Sequence, residues 1–373
     1  MPLLRLTTAL LTCLLALGSA CSASPPAQTT DPSGKGTVTV TDDLNRSVTV
    51  PVGPSRVAVM EWEGLVAKTL AMLGRDSTIV AVDPATKKDP ARQVIVPAIA
   101  HATDVGSAWS GINFESLAAT RPEVVFLEAW VSSDDDRRLH EQAVKTLEGL
   151  KIPVVVFLSP SNTEKPDMTA AYKIVDLVGT VYDRSADTTR VVNQLKSGID
   201  EVVSRIPKDR PGPSVAIFAS TAYVMGAKSV QNHLFATLLG ARNVAGAGTF
   251  IQVSEEQLLA MDPDVLVVIG HEGYISVEQV KSGEKAGLSW DKLRDLRAIK
   301  QSRVAALGYD EWRATIETPI AVLKAAKVLY PDSFADVDVE AKELAFYRDV
   351  FRLDENRAKE AIKGQQYRAD LGR

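Results

Sequence analysis

A chain of 373 residues with a net charge of −5 and 45% hydrophobic residues has the size and composition of a globular protein with two ordinary domains. The small net charge, with no stretch in which Lys and Arg alternate densely with aromatic residues, argues against binding to nucleic acid. Both cysteines lie within the first 21 residues, which excludes a fold held together by disulfides.

The first twenty residues have the pattern of an export signal, and we predict a signal peptide over residues 1–20. An apolar stretch over residues 6–17 follows a short basic start and is too short to span a bilayer. Small residues at positions 18–20 suit a signal peptidase, and Cys21 comes directly after them. We predict a lipid anchor on Cys21. Ordinary cleavage without a lipid is the alternative, because Gly18 stands where lipoprotein signals usually have leucine.

Beyond the signal, the composition divides the chain further. Residues 21–36 are rich in Ser, Pro, Ala, Thr and Gly, which is typical of a flexible tether. The rest divides into an N-terminal lobe over residues 37–165, a helical connector over 166–207 and a C-terminal lobe over 208–373. No segment after the signal has eighteen consecutive apolar residues, so we expect no membrane-spanning helix there.

Strand and helix patterns alternate along the N-terminal lobe. A hairpin is predicted over residues 37–50, a helix over 62–73 that stops at Gly74, and another helix over 137–150. Apolar runs predict strands at residues 56–60, 79–82, 124–127 and 154–158, whereas residues 83–99 have no clear pattern and are expected to be irregular. Strands that alternate with helices in this way predict a mostly parallel sheet.

A long helical stretch separates this lobe from a second alternating region. Residues 167–206 have apolar side chains at helical spacing without interruption, which predicts a long and rigid connecting helix. Further strands are predicted at residues 214–218, 265–269 and 303–307, helices at 231–240, 290–296, 316–329 and 339–351, and fraying at 359–373. The predicted fold is therefore α/β, with two α/β lobes of mostly parallel sheets joined by a long rigid helix and a cleft between them.

One short pattern occurs in both lobes. Residues 113–126 and residues 254–267 each place a glutamate, Glu115 or Glu256, seven residues before a proline, which an acid and an apolar run then follow. Asn113 and Ser254 are suitable N-caps, so each glutamate falls at the second helical position, where the helix dipole alone favours an acid. Helix stabilisation explains either glutamate singly. The matched position in both lobes favours a shared function.

The order and spacing of these elements resemble the substrate-binding proteins of ABC importers for iron–siderophores, haem and vitamin B12. The resemblance covers residues 37–351 and rests on Arg56-Val57-Ala58-Val59 after Pro54, Leu73-Gly74, Val105-Gly106, Asn113-Phe114-Glu115, Pro122-Glu123-Val124-Val125, the connector, Val253-Ser254-Glu255-Glu256-Gln257 and Pro263-Asp264. It implies that Glu115 and Glu256 dock on arginines of the two permease halves. It also implies a monomeric binding protein, not an enzyme, whose permease dimer is driven by a cytoplasmic ATPase.

Candidate ligand-binding residues follow the predicted strands, because ligands in α/β sheets gather beyond the C-terminal strand ends. They are Glu61, Trp62, Trp109, Ser110, Trp130, Tyr223, His271, Tyr274, Tyr309, Trp312 and Arg313. The four tryptophans suit a large, flat or aromatic ligand such as a catecholate siderophore, a corrin or a porphyrin, although filling of the core is the alternative for each. Arg313 is interpreted either as the partner of an anionic chelate or as a surface arginine. His271 is interpreted either as an axial ligand, as in some haem-binding members, or as a loop residue.

The resemblance implies capture of an iron chelate, a ferric siderophore, with haem or cobalamin as alternatives in the same importer class. No cofactor is expected. The other histidines are scattered, which argues against a carrier of bare zinc or manganese. A ligand-sensing lipoprotein and an extracytoplasmic α/β hydrolase are alternatives from other classes. The sequence has no Gly-x-Ser-x-Gly, His-Glu-x-x-His or P-loop motif to support the hydrolase.

Overall fold

The computed structural model describes residues 36–108, 111–131, 134–162, 166–219, 222–271, 273–283, 285–286 and 288–366. The predicted signal peptide, Cys21 and nearly all of the tether lie outside the described residues, as do the cleft candidates Trp109 and Ser110. Within the described ranges, no helix is both long enough and apolar enough to cross a membrane.

The N-terminal half is built on a parallel five-stranded sheet. Its elements are β1 (Thr37–Thr41), β2 (Ser47–Pro51), β3 (Val57–Met60), α1 (Leu65–Met72), β4 (Ile79–Val82), α2 (Pro84–Lys88), α3 (Pro90–Ile95), β5 (Thr103–Asp104), β6 (Gly106–Ser107), β7 (Gly111–Ile112), α4 (Phe114–Ala119), β8 (Val124–Ala129), α5 (Asp134–Gly149) and β9 (Val154–Leu158). The sheet order is β5-β4-β3-β8-β9, and all its pairs are parallel. Strands β3 and β8 are buried along their whole length, as expected where helices cover both faces of a sheet.

The prediction that residues 83–99 are irregular was wrong. They form α2, α3 and a 3-10 turn at Pro97–Ala100. Asp83 accepts hydrogen bonds from the amides of Ala85 and Thr86, and Asp89 accepts one from the amide of Arg92, with a proline at the first position of each helix. An Asp-Pro pair is a strong helix start, so local capping forms short helices even without a long apolar period.

Two helices, α6 (Thr169–Val181) and α7 (Ser185–Ser204), occupy the predicted connector. They are separated at Asp183, whose φ of 52° breaks the helix, so the connection is not one continuous helix. Helix α6 packs on α1 and on α7, and α7 packs in turn on a helix of the C-terminal half. The connection is therefore a packed helix pair that belongs to both halves.

The C-terminal half is built on a mixed six-stranded sheet. Its elements are β10 (Ser214–Ala219), β11 (Tyr223–Met225), α8 (Val230–Asn232), β12 (Arg242–Asn243), β13 (Phe250–Gln252), α9 (Glu255–Met261), β14 (Val265–Ile269), α10 (Val277–Ser282), β15 (Lys285–Ala286), β16 (Leu288–Ser289), α11 (Arg297–Lys300), β17 (Val304–Leu307), α12 (Thr318–Leu329), α13 (Val339–Phe351) and α14 (Glu355–Gly364). The order is β13-β11-β10-β14-β17, with β12 beside β10. The buried strands β10, β14 and β17 run parallel, and β11 and β13 extend the sheet in antiparallel fashion.

Two further predictions for this half were wrong. Residues 290–296 form successive turns rather than a helix, since the ring of Trp290 is fully buried at 5.1 Å from that of Phe218 and packing overrides the helical spacing. Of the segment predicted to fray, residues 359–364 complete α14, whose Ala358 and Ala361 are buried, and residues 365–366 form a turn after it. Residues 367–373 lie outside the described residues. Helix α14 packs on α3, so the C-terminal end of the chain returns to the N-terminal half.

The hydrophobic core joins the two halves. One cluster of buried side chains includes Val59 and Val82 from the first sheet, Val215 and Val267 from the second, and residues of the helices between the sheets. Two smaller clusters cover the outer faces of the two sheets. Each sheet is thus packed on both faces, and its inner face shares one core with the other sheet.

Candidate functional site

The carboxyl ends of the central strands meet between the two halves, where the site lies. Residues 61–63 follow β3, Glu128 lies near the end of β8, and His271 comes shortly after β14. The irregular segment after β17, residues 308–317, is buried throughout. We call this segment the cleft loop. Because parallel strands end at the same edge of a sheet, side chains distant in sequence come together here.

Four buried charged residues link the two halves, and we call them the inter-lobe ion network: Lys68, Arg92, Asp310 and Glu317. The Nζ of Lys68 lies 2.9 Å from Oδ2 of Asp310 and 2.7 Å from Oε1 of Glu317, and these side chains are fully buried. The Nη2 of Arg92 lies 2.7 Å from Oδ1 of Asp310. Burial alone would raise the pKa of Asp310, but Arg92 and Lys68 hold it well below its usual range. Asp310 therefore stays ionised as the centre of the network.

A second buried group consists of carboxylates that hold backbone amides. Glu61 accepts hydrogen bonds of 2.8 Å from the amides of Val66 and Ala67 at the start of α1. Glu128 accepts from the amides of Trp62 at 2.6 Å and of Glu63 at 3.0 Å. Burial raises the pKa of Glu61 to about 7 and, together with the neighbouring Glu63, that of Glu128 to about 8. Both carboxylates thus fix the segment that carries Trp62.

Arg313 lies at the centre of the site and is only 1% exposed, so it is not a surface arginine. Its guanidinium carbon lies 4.2 Å from the ring centre of Tyr309, 4.9 Å from that of Trp312 and 5.4 Å from that of Trp62. Its Nη1 donates to the backbone oxygen of Trp62 at 3.0 Å and to Asp310 Oδ1 at 3.4 Å. Within the described part of the chain, its Nε and Nη2 have no hydrogen-bond partner.

The unpartnered N–H groups of Arg313 indicate a function beyond packing. The Oε2 of Glu63 is 3.7 Å from Nε, beyond hydrogen-bond distance. Burial would lower the pKa of Arg313, but Tyr309, Glu63 and Asp310 raise it above its ordinary value. A buried guanidinium with free donors and aromatic neighbours is suited to an anionic group of a ligand.

An aromatic row leads outward from Arg313. The ring of Trp312 lies 5.3 Å from that of His271, His271 lies 5.3 Å from Phe250, and Phe250 lies 6.3 Å from Tyr223. Phe250 is 40% exposed, whereas Trp312 is 5% exposed. The row therefore runs from the buried cation to the surface. Phe250 was missed in the sequence because β13 is a short antiparallel strand and not the end of a parallel one.

The remaining candidates occupy separate positions. Trp130 is half-buried directly after β8. Tyr274 is also half-buried, next to Gly270, and burial together with Glu311 raises its pKa. The structure therefore brings six of the predicted residues to one place: Trp62, Tyr223, His271, Tyr309, Trp312 and Arg313. Among the described residues, no group of three or more His, Cys, Asp or Glu could hold a metal ion.

The paired glutamates lie where the helix-start pattern predicts them. Glu115 and Glu256 are exposed at the second positions of α4 and α9, and the side chains of Asn113 and Ser254 cap these helices. Ser254 and Gln257 form a complete capping box. Helix α10 repeats that box, with an exposed Glu278 at the same position. A glutamate two residues after an N-cap therefore marks a helix start by itself. Four described glutamates have this position: Glu115, Glu256, Glu278 and, on α13, Glu340.

Comparison with known proteins shows which family this chain belongs to. Residues 57–310 match the model of a family described as periplasmic binding protein. The chain belongs to this family. The molybdate-binding protein MolA of Haemophilus influenzae is 24% identical over 341 residues, covering 84% of this chain and 90% of MolA. The Fe(3+)-citrate-binding protein YfmC of Bacillus subtilis is 26% identical over 311 residues, covering 81% and 88%.

Solved structures of periplasmic binding proteins share the fold. A periplasmic solute binding protein of Veillonella parvula superposes with a TM-score of 0.72 at 21% identity, covering 88% of this chain and 98% of that chain. MolA bound to molybdate superposes with a TM-score of 0.66 at 21% identity, covering 85% and 98%. The predicted α/β fold is confirmed. The family and these relatives are solute-binding proteins rather than enzymes, which gives no support to the hydrolase alternative.

Proposed function

We propose that this protein is the extracytoplasmic binding component of an ABC importer and that it captures an anionic iron chelate of the ferric siderophore class. The observation that carries the proposal is Arg313, a fully buried cation beside three aromatic rings, two of whose nitrogens have no hydrogen-bond partner among the described residues. A ferric chelate with carboxylate or catecholate oxygens would supply anionic acceptors for the guanidinium and apolar surface for the rings. The name of YfmC, a ferric citrate binder, supports the choice of iron.

The name of MolA supports a second candidate, a small oxyanion such as molybdate, which would use the same guanidinium. The aromatic row favours the larger chelate, because a bare oxyanion has no apolar surface to place against Phe250 and Tyr223.

A titration followed by tryptophan fluorescence tests the proposal. The probes are ferric citrate, a ferric catecholate siderophore, haem, cobalamin and molybdate. We expect sub-micromolar binding of at least one anionic ferric chelate and a much weaker response to cobalamin. Tight binding of molybdate alone would move the assignment to oxyanions, and tight binding of cobalamin alone would overturn the role of Arg313.

For delivery, we propose that Glu115 and Glu256 dock on basic side chains of the permease. Both are exposed, one on each half, and exposed complementary charges set docking orientation and rate more than affinity. The double variant Glu115→Ala, Glu256→Ala should bind its ligand normally and lose uptake. Glu278→Ala is the matched control, because Glu278 has the same helix position on α10, and it should keep uptake. Equal loss of uptake in the control would contradict a specific docking pair.

The proposed anchor is a lipid on Cys21, which lies outside the described residues. Cys21→Ser should move the protein from the membrane fraction to the soluble fraction after cell lysis. An unchanged distribution would refute the anchor.

A further inference from the structure

The cleft loop is buried and irregular, so its backbone amides need partners that regular structure does not supply. Residues 308–317 have neither helix nor strand and are all buried. They include three groups of the site: Tyr309, Trp312 and Arg313. Buried backbone N–H groups are almost always paired, and an unpaired one is costly. The partners of this loop therefore decide where its side chains stand.

Two of these amides donate hydrogen bonds to one residue, Gln365, which directly follows α14. The backbone oxygen of Gln365 accepts from the amide of Tyr309 at 2.9 Å, and its side-chain Oε1 accepts from the amide of Asp310 at 2.8 Å. Gln365 is 2% exposed. A Cβ added at Gly308 would lie 2.5 Å from the Cβ of Gln365, so the two segments are in direct contact. Gln365 thus takes the place of a neighbouring strand for this part of the loop.

Helix α14, which Gln365 ends, is itself fastened to the N-terminal half. A Cβ at Gly364 would lie 2.6 Å from the backbone nitrogen of Ala91 in α3, which shows how closely the two helices pack. The Nη2 of Arg357 donates to the backbone oxygen of Val94 at 2.6 Å. Since α14 follows the C-terminal sheet in the chain, it forms a strap from one half to the other.

The strap and the ion network hold the same loop from two sides. Helix α3 carries Arg92, whose guanidinium binds the side chain of Asp310, while Gln365 binds the amide of Asp310. Helices α3 and α14 pack on each other, so the three contacts form a closed arrangement around Asp310. The match to the family model ends at residue 310, so α14 and Gln365 lie beyond it.

We propose that Gln365 is a positioning residue for the ligand site: through α14 it fixes the cleft loop so that Tyr309, Trp312 and Arg313 stand ready for the ligand. The effect on ligand binding rests on the proposed function. The positioning itself does not, and the two are measured separately.

Amide hydrogen exchange of the full chain measures the positioning. Gln365→Met keeps the side-chain volume but removes the acceptor Oε1, and Gln366→Met is the matched control because Gln366 is exposed. We expect exchange of the peptide covering residues 308–313 to become roughly tenfold faster in Gln365→Met, with exchange of β17 unchanged, and no change in the control. Unchanged exchange at residues 308–313 would overturn the proposal, as would an equal rise in β17, which would indicate general destabilisation.

Stopped-flow release of ferric citrate measures the consequence for the ligand. We expect faster dissociation from Gln365→Met, roughly tenfold, and an unchanged rate from Gln366→Met. If the wild-type protein binds no ferric chelate, the proposed function fails while the exchange result still decides the positioning. If the loop loosens but dissociation of bound ferric citrate is unchanged, Gln365 fixes the loop without serving this ligand, and its effect on ligand binding is overturned.

Discussion

The inter-lobe ion network and the surroundings of Arg313 are both buried and both charged, yet they differ in one respect. In the network, Lys68 lies within 3 Å of two carboxylates and Asp310 is held by Lys68 and Arg92. Around Arg313, one nitrogen is bonded and two are not. Burial of charge is common to both, so burial does not distinguish structure from binding. What distinguishes them is whether the buried hydrogen-bond donors have partners.

This difference separates charged groups that stabilise the fold from a charged group that can bind a ligand. A buried charge with a full set of partners has nothing left to offer a ligand, and its removal leaves other charges exposed to a low-dielectric interior. A buried cation with free donors has a cost in the empty protein that an anionic ligand relieves. Two substitutions test this distinction, and a third tests Glu128, the buried acid that holds the amide of Trp62 beside Arg313.

The largest expected effect is on the network. Lys68→Met leaves Glu317 and part of Asp310 without a cation, and we expect the free energy of unfolding to fall by about 3–5 kcal/mol. Chemical denaturation measures it. Lys342→Met is the control, because Lys342 pairs with Glu201 at the exposed surface, where such a pair contributes about 0–1 kcal/mol. Equal losses in the two variants would show that the network does not stabilise the halves.

A smaller effect is expected at Arg313, and on a different quantity. Arg313→Lys keeps the charge but cannot form two parallel hydrogen bonds, so affinity for ferric citrate should fall roughly tenfold to a hundredfold, or about 1.4–2.8 kcal/mol. Fluorescence titration measures it. Arg205→Lys, at an exposed pair with Asp336, should leave affinity unchanged. If Arg313→Lys instead lowers stability as much as Lys68→Met and spares affinity, Arg313 belongs with the network.

The smallest effect concerns Glu128 and depends on pH. Its pKa is raised from 4.5 to about 8, so the folded state binds the proton more tightly than the unfolded state. Stability contributed by this group is therefore present at low pH and is lost as pH rises from about 4.5 to about 8. Glu128→Gln mimics the protonated form and should be more stable than the wild type at pH 8, where the wild-type side chain has begun to lose its proton.

Denaturation midpoints at pH 5 and pH 8 check this expectation, since the advantage of Glu128→Gln should vanish at the lower pH. Glu340→Gln, an exposed glutamate on α13, is the control. Parallel pH profiles for the wild type and Glu128→Gln would contradict a raised pKa at this site.

Much of the fold could be predicted from local pattern alone. Strands β4 and β14 and helix α13 have the predicted bounds. A buried strand gives a continuous apolar run and a long helix gives apolar residues at helical spacing, and both patterns are visible in the sequence. Where packing decided, prediction failed: Trp290 enters the core through turns, and α14 is ordered by its contact with α3. The Asp-Pro pairs that start α2 and α3 could have been recognised in the sequence as helix N-termini. Apolar periodicity does not reveal them, because the two helices are too short to show a period.

The site could be predicted in part, for a topological reason. Trp62 and Arg313 are far apart in sequence, but both follow parallel strands, and the rule for strand ends places them together. Lys68 left a signal that was missed, namely a charge inside an otherwise apolar helix, which requires a buried partner. The bonds of Gln365 leave no such trace, because a glutamine near a charged C-terminus resembles any surface residue.

The single core that runs through both halves has a consequence for recognition by a partner. Val59, Val82, Val215 and Val267 belong to one apolar cluster, so swinging the halves apart would open that cluster to water. We therefore expect the ligand-bound and ligand-free forms of the protein to have nearly the same overall shape. A partner that binds only the ligand-bound form would then have to recognise side chains at the edge of the cleft, because the relative position of the two halves would not tell it whether ligand is present.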